Sequence, residues 1–135
     1  MNAFADIGQR CDAIEECYEF MLAYAAQGID DDQQSRHGNQ LRELLSRAVG
    51  AAAGLPEAYA GMLTEVDPAT APSYNNFLEL LKADTAKALA AMELVLVQPR
   101  IPSQLIDNLN ASLHVRTLLT DIFLLDEILH LQQAP

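Results

Sequence analysis

Residues 103–133, SQLIDNLNASLHVRTLLTDIFLLDEILHLQQ, decide the fold because they contain no Pro or Gly and hold the densest run of large apolar residues in the chain. A helix of about 31 residues spans roughly 45 Å, and Ser103 is a natural N-cap for it. Its first half carries the apolar residues Leu105, Ile106, Leu109 and Leu113, and its second half carries Val115, Leu118, Leu119, Ile122, Leu125 and Leu129. At about 100° per residue these two stripes lie on nearly opposite sides. We therefore predict that the direction of burial changes near residues 114–116, either at a bend or because the helix is packed between two sets of partners.

Charged and polar residues also mark this stretch. A membrane span is excluded because ionisable residues interrupt the apolar run too often, namely Arg116, Asp121, Asp126, Glu127 and His130. A polar line with helical spacing runs through Asp107, Asn110, His114, Thr117 and Asp121. That line is typical of a solvated helix face, and a buried hydrogen-bond network with a partner helix is the alternative.

The first predicted helix, over residues 2–28, has two apolar seams. The main seam consists of Phe4, Ile7, Cys11, Ile14, Tyr18, Met21 and Ala25, and the second consists of Ala13, Cys17, Phe20 and Tyr24. One stripe is enough for a helix in a small bundle. We therefore expect a homodimer in which one seam faces the intrachain core and the second seam, the final helix or both contact another protomer. Without such a contact, a large exposed apolar patch would form from Phe20, Tyr24, Leu118 and Leu125.

The remaining helices are delimited by Gly, Pro and capping residues. Gly28 ends the first helix, and residues 30–32, all Asp, open a second helix that runs to residue 53. Pro56 starts a short helix to residue 65, and Ser73 caps a third long helix to residue 97. The sequence thus predicts one all-α domain over residues 1–135, arranged as an antiparallel four-helix bundle with a short additional helix between helices 2 and 3.

Charge restricts the class of partner. Eight basic residues oppose 19 acidic ones, which gives a net charge of −11. Phosphate backbones and anionic lipids repel such a surface, so nucleic acids and membranes are not expected partners, whereas a protein with a basic surface is. An acidic flank on the first helix, formed by Asp12, Glu15, Glu16 and Glu19, is the predicted docking patch.

The two cysteines suggest the compartment. Cys11 and Cys17 lie about 120° apart around one helix, which is poor geometry for a disulfide between them. No secretory leader is recognisable at the start of the sequence, so a reduced, cytoplasmic protein is expected.

Catalytic and metal-binding motifs are weak. Glu127 and His130 supply one Glu-x-x-His motif, but a di-iron bundle needs two copies and two further Glu ligands. Phosphate-binding glycine loops, zinc-type spacings and nucleotide-binding fingerprints are missing from the sequence. We therefore predict no catalytic residue, no metal site and no cofactor.

The function that this pattern favours is a non-enzymatic interaction protein of the bacterial cytoplasm: an adaptor, an assembly factor or a dedicated chaperone. Two alternatives stay open, namely a helical bundle that binds a small molecule or cofactor, and an enzyme whose site forms no sequence motif. The residues predicted to contact a protein partner are Asp12, Glu15, Glu16, Glu19, Phe20, Tyr24, His114 and Arg116.

Overall fold

A computed structural model describes residues 3–63 and 67–133, and within these ranges every regular element is helical. The elements are α1 (Ala3–Ala25), a 3₁₀ helix (Asp32–Gln34), α2 (Arg36–Ala53), α3 (Leu55–Met62), α4 (Ala71–Leu96), α5 (Ser103–Ala111) and α6 (His114–Gln133). The prediction of an all-α protein is confirmed. The predicted start at residue 2 and the end of the short helix at residue 65 lie outside the described residues.

The C-terminal stretch is two helices rather than one. Leu113 has a φ of 66°, in the left-handed region that interrupts a right-handed helix. The N–H of Ser112 donates to the carbonyl of Asn108 at 3.0 Å to finish α5, and the carbonyl of Leu113 accepts from the N–H of Thr117 at 2.8 Å to begin α6. This break directly precedes residues 114–116, where the two apolar stripes exchange sides. The change of burial direction is therefore produced by a new helix.

Helix α1 is the element around which the others pack, because it contacts α2, α3, α5 and α6. Most of both apolar seams is consequently covered within one chain, although Phe4 of the main seam is 55% exposed. Cys17 and Tyr24 of the second seam are 0% exposed, and Leu118 and Leu125 of α6 are buried as well. The exposed patch on which the dimer prediction rested does not form, since only Phe20 stays half-exposed and its ring packs near those of Tyr24 and His37.

Three predicted helix starts are wrong in detail. Residues 30–32 do not open α2; Asp31 caps the 3₁₀ helix, and Ser35 caps α2 by accepting from the N–H of His37. Helix α4 begins at Ala71 with Pro72 in its first turn, so Ser73 lies inside the helix. Ser103 is the first residue of α5 and is buried, and Pro102 holds the capping position.

A cluster of buried polar contacts, which we call the Asp32 cluster, joins the loop after α1 to the segment before α5. The Asp32 carboxylate accepts from the guanidinium of Arg42 and, at 2.6 Å, from the N–H of Ile101. The carbonyl of Ile101 accepts from the Tyr24 hydroxyl at 2.7 Å. Ser103 Oγ donates to the carbonyl of Tyr24 at 2.7 Å and accepts from the N–H of Ile29 at 2.9 Å. The Tyr24 hydroxyl thus donates its hydrogen bond within the chain.

The polar line predicted along one long helix is divided by the break. Asp107 and Thr117 are exposed, and Asn110 donates from its side chain to the carbonyl of Met21 at 3.2 Å. Asp121 is half-buried, and its Oδ2 has no hydrogen-bond partner among the residues that the structure describes. The line is neither a uniform solvated face nor one continuous network.

Candidate functional site: a groove between α1 and α6

An open groove with a volume of about 420 Å³ runs between α1 and α6. Its lining consists of Glu15, Tyr18, Glu19 and Leu22 from α1 and of Arg116, Leu119, Thr120 and Phe123 from α6. On each helix these residues occupy positions i, i+3, i+4 and i+7, which share one face of a helix. The groove is therefore the valley between two helix faces that the rest of the fold leaves uncovered.

The two helices run antiparallel along the groove. Near the start of α1, Phe4 and Ile7 share a cavity with Leu129 and His130 from the end of α6. One end of the groove therefore lies where Leu22 faces Arg116, and the other lies where Glu15 faces Phe123. This direction fixes which charges stand at each end.

The groove has an apolar surface that solvent reaches. Leu119 is buried at its base, whereas Leu22 and Phe123 are each 49% exposed at its edges. Single exposed apolar residues are ordinary, but two large ones that flank a concave apolar surface are typical of a site that another molecule covers.

Charged side chains surround this apolar surface. Burial, together with the carboxylates of Asp12, Glu19 and Asp126, raises the pKa of Glu15. Across residues 3–63 and 67–133, no ion-pair partner is found for Glu15, Glu19 or Arg116. The α1 edge of the groove is thus a set of mutually repelling carboxylates, and no Lys, Arg or His among the described residues forms an ion pair with Glu15 or Glu19.

The structure places the predicted partner residues in three groups. Glu15, Glu19 and Arg116 line the groove, and Asp12 is exposed beside Glu15. Glu16 faces the other way, towards Arg47 of α2 at 4.0 Å.

The other three predicted residues lie away from the groove lining. Phe20 packs near Tyr24 and His37, Tyr24 is fully buried, and His114 is half-buried as the first residue of α6. The fully buried Tyr24 side chain is not available to a partner in this fold, which corrects its assignment to a docking surface.

Sequence reasoning missed Leu22 and Phe123, although a signal was present. Both are large apolar residues that stand outside every stripe assigned to their helices. A large apolar residue outside the buried stripe of an amphipathic helix is a candidate for intermolecular contact. That signal marks Leu22 and Phe123 as candidates, but it does not show that they lie in one groove with Glu15, Glu19 and Arg116.

A second concavity, of about 250 Å³, lies between the start of α1 and the end of α6, with Asp126 and His130 in its lining. Asp126 accepts a hydrogen bond from the Tyr59 hydroxyl, which lies 3.6 Å from Cys11 Sγ. Burial raises the pKa of Cys11 to about 11 and that of Cys17 to about 12. Neither thiol is therefore ionised near neutral pH, and thiolate chemistry is not supported.

Two further searches concern metals and membranes. In the part of the chain that the structure describes, no three His, Cys, Asp or Glu side chains stand together as a metal site would require. Within the same residues, no helix combines the length and apolar character needed to traverse a bilayer.

Comparisons with models of protein families, with curated proteins and with solved structures find no match to this chain. The function is accordingly argued from the groove itself.

Proposed function

We propose that this protein is a non-enzymatic interaction protein, an adaptor, assembly factor or dedicated chaperone, and that it binds its partner protein in the groove between α1 and α6. The observation that carries the proposal is the combination of exposed Leu22 and Phe123 with unpaired charges at Glu15, Glu19 and Arg116 in one concavity. Apolar anchors within a polar rim are the common composition of protein interfaces.

The scaffold supports this role. Contacts of α1 with α2, α2 with α4, α4 with α6 and α6 with α1 close a ring of the four longest helices, which favours the predicted antiparallel four-helix bundle with α3 as the short addition. The groove is then a gap in the outer surface of a rigid support. Free, buried Cys11 and Cys17 fit a reducing compartment, and we retain the cytoplasm as the proposed location.

A partner other than a second copy of the chain is favoured at this groove. Two copies that met groove to groove with α1 on α1 would bring the carboxylates of Glu15 and Glu19 near those of the other copy, on proteins that each carry a net charge of −11. Like charges at an interface oppose association. The homodimer stays a prediction, and α1-to-α1 contact at this groove is disfavoured.

Site-specific cross-linking in cells tests the proposal. A photoreactive benzophenone amino acid is placed at Thr120 in the groove and, as a matched control, at exposed Ala90 on α4. We expect a discrete adduct from position 120 that is absent from position 90 and is lost when Phe123→Ala is added. Equal adducts from both positions, or an adduct that persists with Phe123→Ala, would refute the groove as the docking site.

A further inference from the structure

We infer that the occupant of the groove between α1 and α6 is an amphipathic helix of a basic protein, oriented parallel to α1 with its Lys and Arg residues beside Glu15 and Glu19. This inference rests on the proposed function and specifies the chemistry of the partner. Three features of the groove support it: its shape, the position of its charges and the difference between its two ends.

Shape favours a helix. The lining of α1 extends from Glu15 to Leu22, which at 1.5 Å per residue is about 10 Å, or two helical turns. A helix satisfies its backbone hydrogen bonds internally, whereas a segment that docks as an added strand needs a sheet edge. Within residues 3–63 and 67–133 no strand exists to offer that edge. A helix meets the requirement internally and inserts two or three apolar side chains between Leu22 and Phe123.

Charge favours a basic flank on one side only. The α1 edge presents Glu15 and Glu19, with Asp12 next to them, whereas the α6 edge presents Thr120 and a single cation, Arg116. A helix with Lys or Arg along the flank nearest α1 would relieve the repulsion among these carboxylates. The remaining flank needs no such charge.

The ends of the groove favour one direction. Glu15, near Asp126, makes the end at Phe123 the more negative one, whereas Arg116 at the end near Leu22 offsets the charge of Glu19. A helix carries partial positive charge at its N-terminus and partial negative charge at its C-terminus. Its N-terminus therefore belongs at the Phe123 end, so the occupant runs in the same direction as α1 and opposite to α6.

Designed peptides test the chemistry on the full chain. The probe is a peptide of about 15 residues, long enough to form a helix, with Leu at positions i, i+4 and i+7 and Lys along one flank. One control peptide carries Glu in place of every Lys, and a second has the Lys peptide's composition in an order without an apolar stripe. Binding is measured by calorimetry at about 50 mM and about 300 mM salt, because screening separates the charge contribution.

Protein variants separate the two contributions. We expect Leu22→Ala with Phe123→Ala to weaken binding of the Lys peptide at least about tenfold, because half-exposed apolar anchors are removed. Glu15→Gln with Glu19→Gln should weaken it about fivefold at low salt and less at high salt. Glu43→Gln with Glu93→Gln removes two exposed carboxylates outside the groove lining and should leave the affinity unchanged.

The outcomes distinguish this inference from the proposed function. If the Glu peptide binds as well as the Lys peptide, or if the control variant at Glu43 and Glu93 weakens binding as much as the groove variant, a basic partner is refuted. If none of the peptides binds while the cross-link from Thr120 persists, the helical occupant is refuted and the docking site stands. For direction, a spin label on the peptide N-terminus should broaden NMR signals of Phe123 more than those of Leu22, and the reverse would refute the orientation.

Discussion

Replacing Leu113 tests the break between α5 and α6 more directly than any other substitution. Leu113 has a φ of 66° and a side chain that is 51% exposed. The two variants to compare are Leu113→Gly and Leu113→Ala. Both remove the Leu side chain, so the difference between them isolates the backbone conformation at this position.

The expected sign of that difference depends on whether the helix is interrupted. In the left-handed region a non-Gly residue costs about 1–2 kcal/mol, which Gly avoids, and the greater freedom of Gly in the unfolded chain offsets about half of this. We expect Leu113→Gly to be more stable than Leu113→Ala by about 1 kcal/mol. In one continuous helix over residues 103–133, Gly would instead be less stable than Ala by about 1 kcal/mol.

Chemical denaturation followed by circular dichroism measures the free energy of unfolding of both variants. A broken helix and a continuous helix predict differences between the variants that are opposite in sign and about 2 kcal/mol apart. This separation exceeds the usual extrapolation error. In a thermal melt the difference of about 1 kcal/mol corresponds to about 4 °C for a chain of this size. A Gly variant that is less stable than the Ala variant would refute the break at Leu113.

The remaining predictions concern the buried carboxyl group of Asp32, the half-buried one of Asp121 and the pH dependence of stability. Burial alone would raise the pKa of Asp32, but hydrogen bonds from Arg42 and from the N–H of Ile101 hold the pKa below its ordinary value of 3.8. The contribution of Asp32 to stability is therefore present above about pH 4 and lost as the pH falls through the folded-state pKa. Asp32→Asn should lower the free energy of unfolding by about 3 kcal/mol at neutral pH and make stability depend less on pH in the acid range. Burial, then the neighbouring carboxyl of Asp84, raise the pKa of Asp121 from 3.8 to about 7, so the folded state holds this proton more tightly and the contribution of Asp121 falls as the pH rises from 4 to 7. Asp121→Asn should be more stable than the parent by about 1 kcal/mol at pH 8, after allowance for solvent screening, and should show no gain at pH 4. An equal gain at both pH values would contradict a raised pKa for Asp121.

Local sequence patterns predicted the helices well. The apolar line of α2, including Leu41, Leu44 and Leu45, and that of α4, including Leu78 and Leu81, are buried as their helical spacing indicates. Gly28 has a φ of 67° just beyond α1, which is the left-handed conformation that ends helices. These features depend on neighbours three or four residues apart, and such patterns can be read from one sequence.

Features that depend on distant residues were not predicted. Asp32 resembles a surface acid at the start of a helix, and only the fold brings Arg42 and Ile101 to it. No Gly or Pro marks the break at Leu113, where α5, packed mainly on α1, gives way to α6, packed mainly on α4. Tertiary packing overrides a continuous helical preference there. The second seam of α1 was assigned to another protomer because spacing shows that a face is apolar but does not show which element covers it.

The candidate site was predicted in part for the same reason. Glu15, Glu19 and Arg116 were selected from charge, and the fold brings all three to one groove. Leu22 and Phe123 were missed because their exposure depends on how far α1 and α6 approach each other, a distance that sequence spacing leaves open.

The central position of α1 has a consequence for synthesis of the chain. Cys11 of α1 lies beside the Tyr59 hydroxyl, which donates a hydrogen bond to Asp126 of α6. Complete burial of α1 therefore requires α6, which the ribosome makes roughly one hundred residues later. At about 5–20 residues per second, that delay is on the order of 5–20 s. During this interval the part of α1 that α6 covers is open to other nascent chains. Codon choice and chaperone access between α1 and α6 should therefore influence the yield of folded protein.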